Sequence, residues 1–295
     1  MRKTSFLSFG VLTILAGSCF AENTNPAKVF EEVIATYKSL QTYKAEGTIT
    51  ADINDGNGTM CLETSFSILL KKPNLYLIRW TQKNMPMPGM AQWGTVWNEG
   101  NQPYLYIGIM NGYAKMGSDG MALASATGFG GGGATFTIPS IFLNPFRGQP
   151  SPFCDLKEPN LERTEKIGGE KCYVISGSSP ASKKETFWIS KSRHLILKYS
   201  RSLESSGQPD ATPEPNDAQI EEVIKGMGLE VTEESKKRMM EMTKDSNDTE
   251  LHGFSTEIHR EISSPELRAE DFHFAVPQGT VFKKSLFDGF LKPKQ

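Results

Sequence analysis

The feature that most limits how this chain can fold is a long succession of short strand-like runs, nearly all separated by Gly, Pro, Asn or Ser turns. "YKAEGTITADI" alternates strictly, with Ala45, Ile49, Ala51 and Ile53 on one side and Lys44, Glu46, Thr48 and Asp52 on the other, the pattern of a half-buried antiparallel strand. "NDGNGT" then supplies a hairpin turn through Asn57-Gly58. Further runs follow at "LETSFSILLKK", "NLYLIRWTQ", "GTVWNEG", "QPYLYIGIM", "EKCYVISGS", "KETFWISK", "RHLILKYSRSL" and "GFSTEIHREI". Such a meander predicts one long, curling antiparallel sheet. Leu75 to Trp80 and Tyr104 to Ile109 are apolar on both faces, so that part of the sheet needs cover on both sides. One helix precedes the meander. Asn25 caps it, Pro26 opens its first turn, and Val29, Phe30, Val33, Tyr37 and Leu40 recur at helical spacing. It can cover only one side.

Two segments interrupt the meander. Gly112 to Arg147 contains "DGMALASATGFGGGGATFTIPSIFLNPF", a short helix, a glycine run and a second short apolar element. No Lys-Ser/Thr follows Gly130 to Gly133 and no strand-loop-helix frame surrounds them, so the run reads as a hinge and not a phosphate cradle. Ser205 to Ser246 opens with a Pro- and Ser-rich stretch and continues as two helices, Asp217 to Met227 and Thr232 to Lys244. Ile220, Val223, Ile224 and Met227 form one apolar stripe on a charged segment, which would dock on the sheet or on an envelope protein partner. It reads as a helical insertion (205–246) in a single domain spanning 25–290.

Arg2 and Lys3, the apolar run Phe6 to Ala16 and the small residues after it have the layout of a secretory signal over residues 1–21. That run is too short to span a bilayer. Cleavage near Ala21 predicts an exported or periplasmic protein; lipidation of Cys19 in "LAGSC" is the alternative, and either leaves only peripheral membrane contact. Cys61, Cys154 and Cys172 remain, an odd number, none with zinc-ligand spacing. A Cys154–Cys172 disulfide is the plausible pairing, with Cys61 a buried thiol. A net charge of −2 and no basic cluster argue against nucleic acid as a partner.

At "KKPNLYLIRW", "VWNEGNQPYLY" and "AEDFHFAVPQGTVF" the chain resembles the LolA-like superfamily of periplasmic lipoprotein carriers and their relatives. The likeness lies in the order of elements and in a C-terminal Phe-x-Phe-x-x-Pro-x-Gly, here Phe272, Phe274, Pro277 and Gly279. It implies an α+β fold: an incomplete antiparallel barrel wrapped around the N-terminal helix, with short lid helices over an apolar cavity for acyl chains. Val33, Tyr37, Ile49, Phe66, Ile68, Ile78 and Trp80 would line that cavity, and Met121, Leu123, Phe129, Phe136, Ile138 and Phe142 would form the lid. Lys72 stands at the lid-latch position, where the family has an Arg whose planar fork Lys does not reproduce.

No Gly-x-Ser-x-Gly elbow, His-Glu-x-x-His or flanked Cys-His arrangement occurs, and no residue is a candidate catalyst or resident metal ligand. Glu257, His259 and Glu261 alternate in "EIHRE", but Phe254, Ile258 and Ile262 would take the buried face and leave those three in solvent. His194 and His273 sit in strand-like runs without acidic neighbours. In "NMPMPGM", Met85, Met87 and Met90 offer either thioethers for Cu(I) or, with Trp93, an adaptable apolar cavity rim. The rim is the better reading, since no His or Cys completes a metal site there. The expected function is a non-enzymatic cell-envelope carrier or sensor for acyl chains of lipids or lipoproteins, without cofactor. The alternatives are a structural or interaction protein with a self-filled cavity, and a Met-rich Cu(I)-binding protein.

Overall fold

A computed structural model describes residues 24–54, 58–83, 92–145, 152–205, 215–227, 229–247 and 251–287. Helix α1 (Pro26–Ser39) starts as expected: the Asn25 side chain accepts the Ala27 N–H at 3.0 Å and Pro26 occupies the first turn, where its missing N–H has no helical acceptor to satisfy. Val29, Phe30, Val33 and Tyr37 form its buried face.

The strands are β1 (Thr42–Asn54), β2 (Thr59–Lys71), β3 (Leu75–Lys83), β4 (Gln92–Asn98), β5 (Pro103–Ile107), β6 (Gly112–Lys115), β7 (Lys157–Ile167), β8 (Glu170–Ser179), β9 (Ser182–Ser190), β10 (Ile196–Ser205), β11 (Leu251–Ser263) and β12 (Val281–Phe282). They form one sheet in the order β12-β6-β5-β4-β3-β2-β1-β11-β10-β9-β8-β7. Among the described residues only β12 and β6 pair in parallel. The two halves of the meander therefore meet at β1, which pairs with β2 on one side and β11 on the other, while β7 and β12 remain as edges. This is the long, curling antiparallel sheet that the meander predicts, rolled into the incomplete barrel around a helix that the resemblance implies.

Strand β7 had no signal in the sequence. Its "KEPNLERTEKI" carries charges on both faces and most of it is exposed, as suits an edge that must not template further pairing. The doubly apolar strands β3 to β5 are covered twice, as they require. Their concave side belongs to the main core with α1 and the 119–142 segment. On the outer side, Leu77, Trp97 and Tyr106 form a second core with Leu267 and Phe272 from the C-terminal segment, against which Phe274 and Val276 also pack.

Helices α4 (Asp217–Gly226) and α5 (Glu233–Asn247) lie in sequence between β10 and β11, which nevertheless pair directly from Lys198↔Ile258 to Ser205↔Leu251. Ile220 and Ile224 are buried, and Met227 and Leu229 pack on the main core.

Two expectations are corrected. Glu257 and His259 face inward, 2% and 4% exposed, whereas Phe254 is 60% exposed. The cause is a bulge: β11 pairs Arg260 with Glu46 but Ser263 with Lys44, one residue out of step, and Glu261 takes a left-handed φ of 51°. The bulge switches the inward parity, so Ile262 packs on the core from an even position while the odd positions point inward before it. The second correction concerns the cysteines. Cys154 is exposed, Cys172 is buried among its neighbours in β8, and both are free, so that disulfide is not formed. Cys61 is on the surface, near the end of the β1–β2 hairpin, where alternation turns it outward.

Candidate functional site

The concave face is covered by a flap built from short pieces. Helix α2 (Asp119–Ala126) is capped by Ser118, whose side chain accepts the Met121 N–H at 3.2 Å. Its Asp119 accepts hydrogen bonds from the Tyr76 hydroxyl at 3.0 Å and from Asn98 Nδ2 at 2.7 Å, which fix the start of the flap to β3 and β4. Burial, then the Asp119 charge, hold the Tyr76 phenol well above its ordinary pKa, so it remains a proton donor.

A wide turn (Thr127–Gly131) and a 3₁₀ turn (Gly132–Thr135) lead into helix α3 (Thr137–Phe142), every residue of which is buried. The chain reverses through Gly130 and Gly132 at φ 96° and 53°, a region that costs L-residues energy. The Phe129 carbonyl accepts from Trp80 Nε1 at 3.1 Å and Gln92 Nε2 at 2.7 Å, which ties the middle of the flap to β3 and β4.

Val33, Tyr37, Ile49, Phe66, Ile68, Ile78 and Trp80 come together as buried members of one apolar cluster, with Leu123, Ile138 and Phe142 of the flap against them. Met121 and Phe129 are half-buried, and Phe136 is 37% exposed. Met85, Met87 and Met90 lie outside the described residues. Trp93, expected beside them, is 46% exposed and donates from Nε1 to the Tyr106 hydroxyl at 3.0 Å. Lys72 Nζ donates to the carbonyls of Tyr37, at 3.0 Å, and Lys38, at the C-terminal end of α1 where the helix dipole favours a cation. It also lies 4.9 Å from the centre of the Phe142 ring, so one ammonium touches both α1 and α3. Burial lowers its pKa.

Sequence reasoning missed a polar group beneath the flap. Thr137 donates its hydroxyl to Glu257 Oε2 at 2.9 Å. His259 Nε2 lies 2.7 Å from Glu257 Oε1, off the axis of a hydrogen bond, and the His259 ring meets Phe66 edge-on at 5.3 Å. Glu257 lines a pocket of about 220 Å³ with Thr137, Phe136, Tyr199, Arg201 and Ser255. A second pocket of about 200 Å³ shares Phe136, Tyr199 and Arg201 and extends to Glu185 and Asp155. The bulge could not be read from alternation, and alternation was the only signal for this strand. His194 and His273 do find acidic partners, from distant sequence: Nε2 of His194 is 3.2 Å from Glu32, and Nδ1 of His273 is 2.9 Å from Glu99. Both lie outside the strands. Among the described residues no group of three or more His, Cys, Asp or Glu could hold a metal ion, and no helix is long and apolar enough to cross a membrane.

These features define a class by shape: an open, curled antiparallel sheet that holds one helix and a glycine-jointed flap of short helices on its concave face. No protein-family model matches the sequence, and none of the curated proteins matches it. Among solved structures, the chain is similar to LprF from Mycobacterium bovis, with 11% identity and a TM-score of 0.41 over 86% of this chain and 96% of that one. It is similar to the lipoprotein LppX of Mycobacterium tuberculosis, with 12% identity and a TM-score of 0.37 over 83% and 99%. A LolA superfamily protein from Nitrosomonas europaea gives 10% identity and a TM-score of 0.28 over 85% and 98%.

Proposed function

We propose that this chain is a non-enzymatic carrier or sensor in the cell envelope that takes up acyl chains of lipids or lipoproteins between the sheet and the flap. The observation that carries the reading is the flap itself. The concave face of a long sheet is closed by short helices joined through Gly130 and Gly132, packed on the core and tied by polar contacts at Asp119, Phe129, Thr137 and Lys72. Lifting it would uncover a wide apolar surface, and an acyl chain bound there would gain about 0.8 kcal/mol for each CH₂ buried. Export by the 1–21 segment, a soluble or Cys19-anchored form, and docking of an envelope partner on the 205–246 insertion belong to the same reading. Native mass spectrometry of the mature protein before and after organic extraction tests it: bound mass that extracts as fatty acyl species is expected. An empty protein that also fails to take up a fluorescent fatty acid would sink the proposal.

One observation favours a second reading, in which the interior is filled by the protein's own side chains. The residues expected to line a cavity are packed, and pockets of about 200 and 220 Å³ are smaller than the roughly 300–1,000 Å³ of ordinary ligand sites. In that case the same extraction yields nothing and the protein unfolds at the same temperature with or without lipid.

A further inference from the structure

Arg201 stands out among the charged side chains near the flap. It is half-buried, it lines both pockets, and among the described residues its guanidinium makes no hydrogen bond or ion pair. A guanidinium has five N–H donors in a planar fork and no acceptor, so leaving it half out of water and unpaired is costly. Two carboxylates are close by in the sheet. Glu185 is the cross-strand partner of Arg201 on β9, and Glu257 pairs with Tyr199 across β10 and β11. Neither satisfies it. The oxygens of Glu185 are turned instead to the hydroxyls of Ser179 and of Tyr199, the latter at 2.9 Å. Glu257 Oε2 accepts from Thr137, and its Oε1 lies against His259.

We infer that Arg201 is a recognition residue for the head of an amphiphile that carries one negative charge, a carboxylate or a phosphodiester, whose acyl chain passes beneath the flap. This rests on the carrier reading and specifies its ligand. Phe136, exposed on the flap and lining both pockets, marks where an apolar chain would leave the polar mouth for the core. The planar fork suits two-point binding of either oxyanion. Glu185, Glu257 and Asp155 around the mouth limit the charge it can accept, so a dianionic phosphate monoester is disfavoured against a single charge.

The test is displacement of a neutral naphthylamine dye from the full mature chain by laurate, methyl laurate, a single-chain phosphatidylglycerol and lauryl phosphate. Laurate or the phosphodiester should bind about tenfold more tightly than the ester, as expected for a charge-assisted bond. Which of the two is preferred identifies the head. Arg201→Gln should erase that preference while keeping ester affinity and without lowering the unfolding temperature, and Arg201→Lys should keep part of it. Equal binding of acid, phosphodiester and ester by the wild type overturns the inference while the carrier reading stands. So does a preference that survives in Arg201→Gln. A wild type that binds none of them overturns both.

Discussion

At the scale of single residues, Glu257 and His259 are the positions where pattern and structure disagree most. Apolar Phe254, Ile258 and Ile262 on the alternate positions argue for a solvated acidic face, and one extra residue at Glu261 reverses that face. The result is a carboxylate 2% exposed with a hydroxyl from the flap and an imidazole beside it. Removing one member of such a group strands the others, at a cost of about 3–5 kcal/mol, whereas an apolar replacement of both ionisable partners is often nearly neutral. Glu257→Ala should therefore lower stability in urea by about 3 kcal/mol, and Glu257→Leu with His259→Phe should recover most of it. A double variant as unstable as the single one would mean that the polar group contributes positively to the fold. Glu170 makes a different prediction. Two guanidinium hydrogen bonds from Arg193, then contacts from Ser190 and Ser192, hold its carboxyl down at about 2 from an ordinary 4.5, against the opposing effect of burial. A depressed pKa contributes stability that is full above pH 4.5, declines between 4.5 and 2, and is absent below. Screening at this partly exposed site leaves on the order of 1 kcal/mol. Urea midpoints of Glu170→Gln should fall below wild type at pH 7 and converge with it near pH 2.

At the scale of elements, what could be read in advance follows the strength of local signals. The Asn25-Pro26 start and apolar stripe of α1, the alternation of β1, and both insertion helices are local, and each lies within a few residues of its expected bounds. Strand β7 is set by its pairing with β8 and not by a local pattern, and its charges on both faces hide it. The outer cover of β3 to β5 comes from residues nearly two hundred positions away, so the need for cover was legible while its source was not. The flap shows the same limit. Its glycine run reads as a hinge, but only the folded backbone tells which glycines matter. Gly130 and Gly132 hold left-handed φ, while at Gly128 an added Cβ would meet nothing within 4 Å. Gly130→Ala and Gly132→Ala should each cost about 1–2 kcal/mol, and Gly128→Ala should be neutral or slightly stabilising. Thermal unfolding of the three single variants separates them. Equal effects at all three positions would show that the run is only a spacer.

At the scale of the molecule, the C-terminal segment links parts of the fold that are otherwise far apart. Phe272 and Phe274 cover the outer face of the sheet, and β12 then pairs with β6 at the edge. Beyond it, the Ser285 hydroxyl donates to the Met227 carbonyl at 2.6 Å, at the end of α4. The Phe287 ring stands 5.5 Å from that of Phe129, in the middle of the flap. One continuous stretch thus ties the outer layer, the insertion and the flap together, and the flap opening proposed above would require breaking the last of these contacts. Two changes should separate its roles. Phe272→Ala empties a fully buried site of the outer core and should cost about 3–5 kcal/mol, because the cavity opens against the outer face of β3 to β5, a hydrogen-bonded sheet that cannot easily collapse into it. It leaves the flap contacts in place, so uptake of a neutral dye should keep its wild-type rate under native conditions. Truncation after Thr280 removes β12, Ser285 and Phe287 but leaves the outer core whole. That variant should still unfold in one cooperative transition, with faster dye uptake, since less must be broken before the flap lifts. Stopped-flow dye binding beside thermal unfolding measures both quantities. A truncated protein with unchanged uptake would show that the flap opens independently of the C-terminal tie.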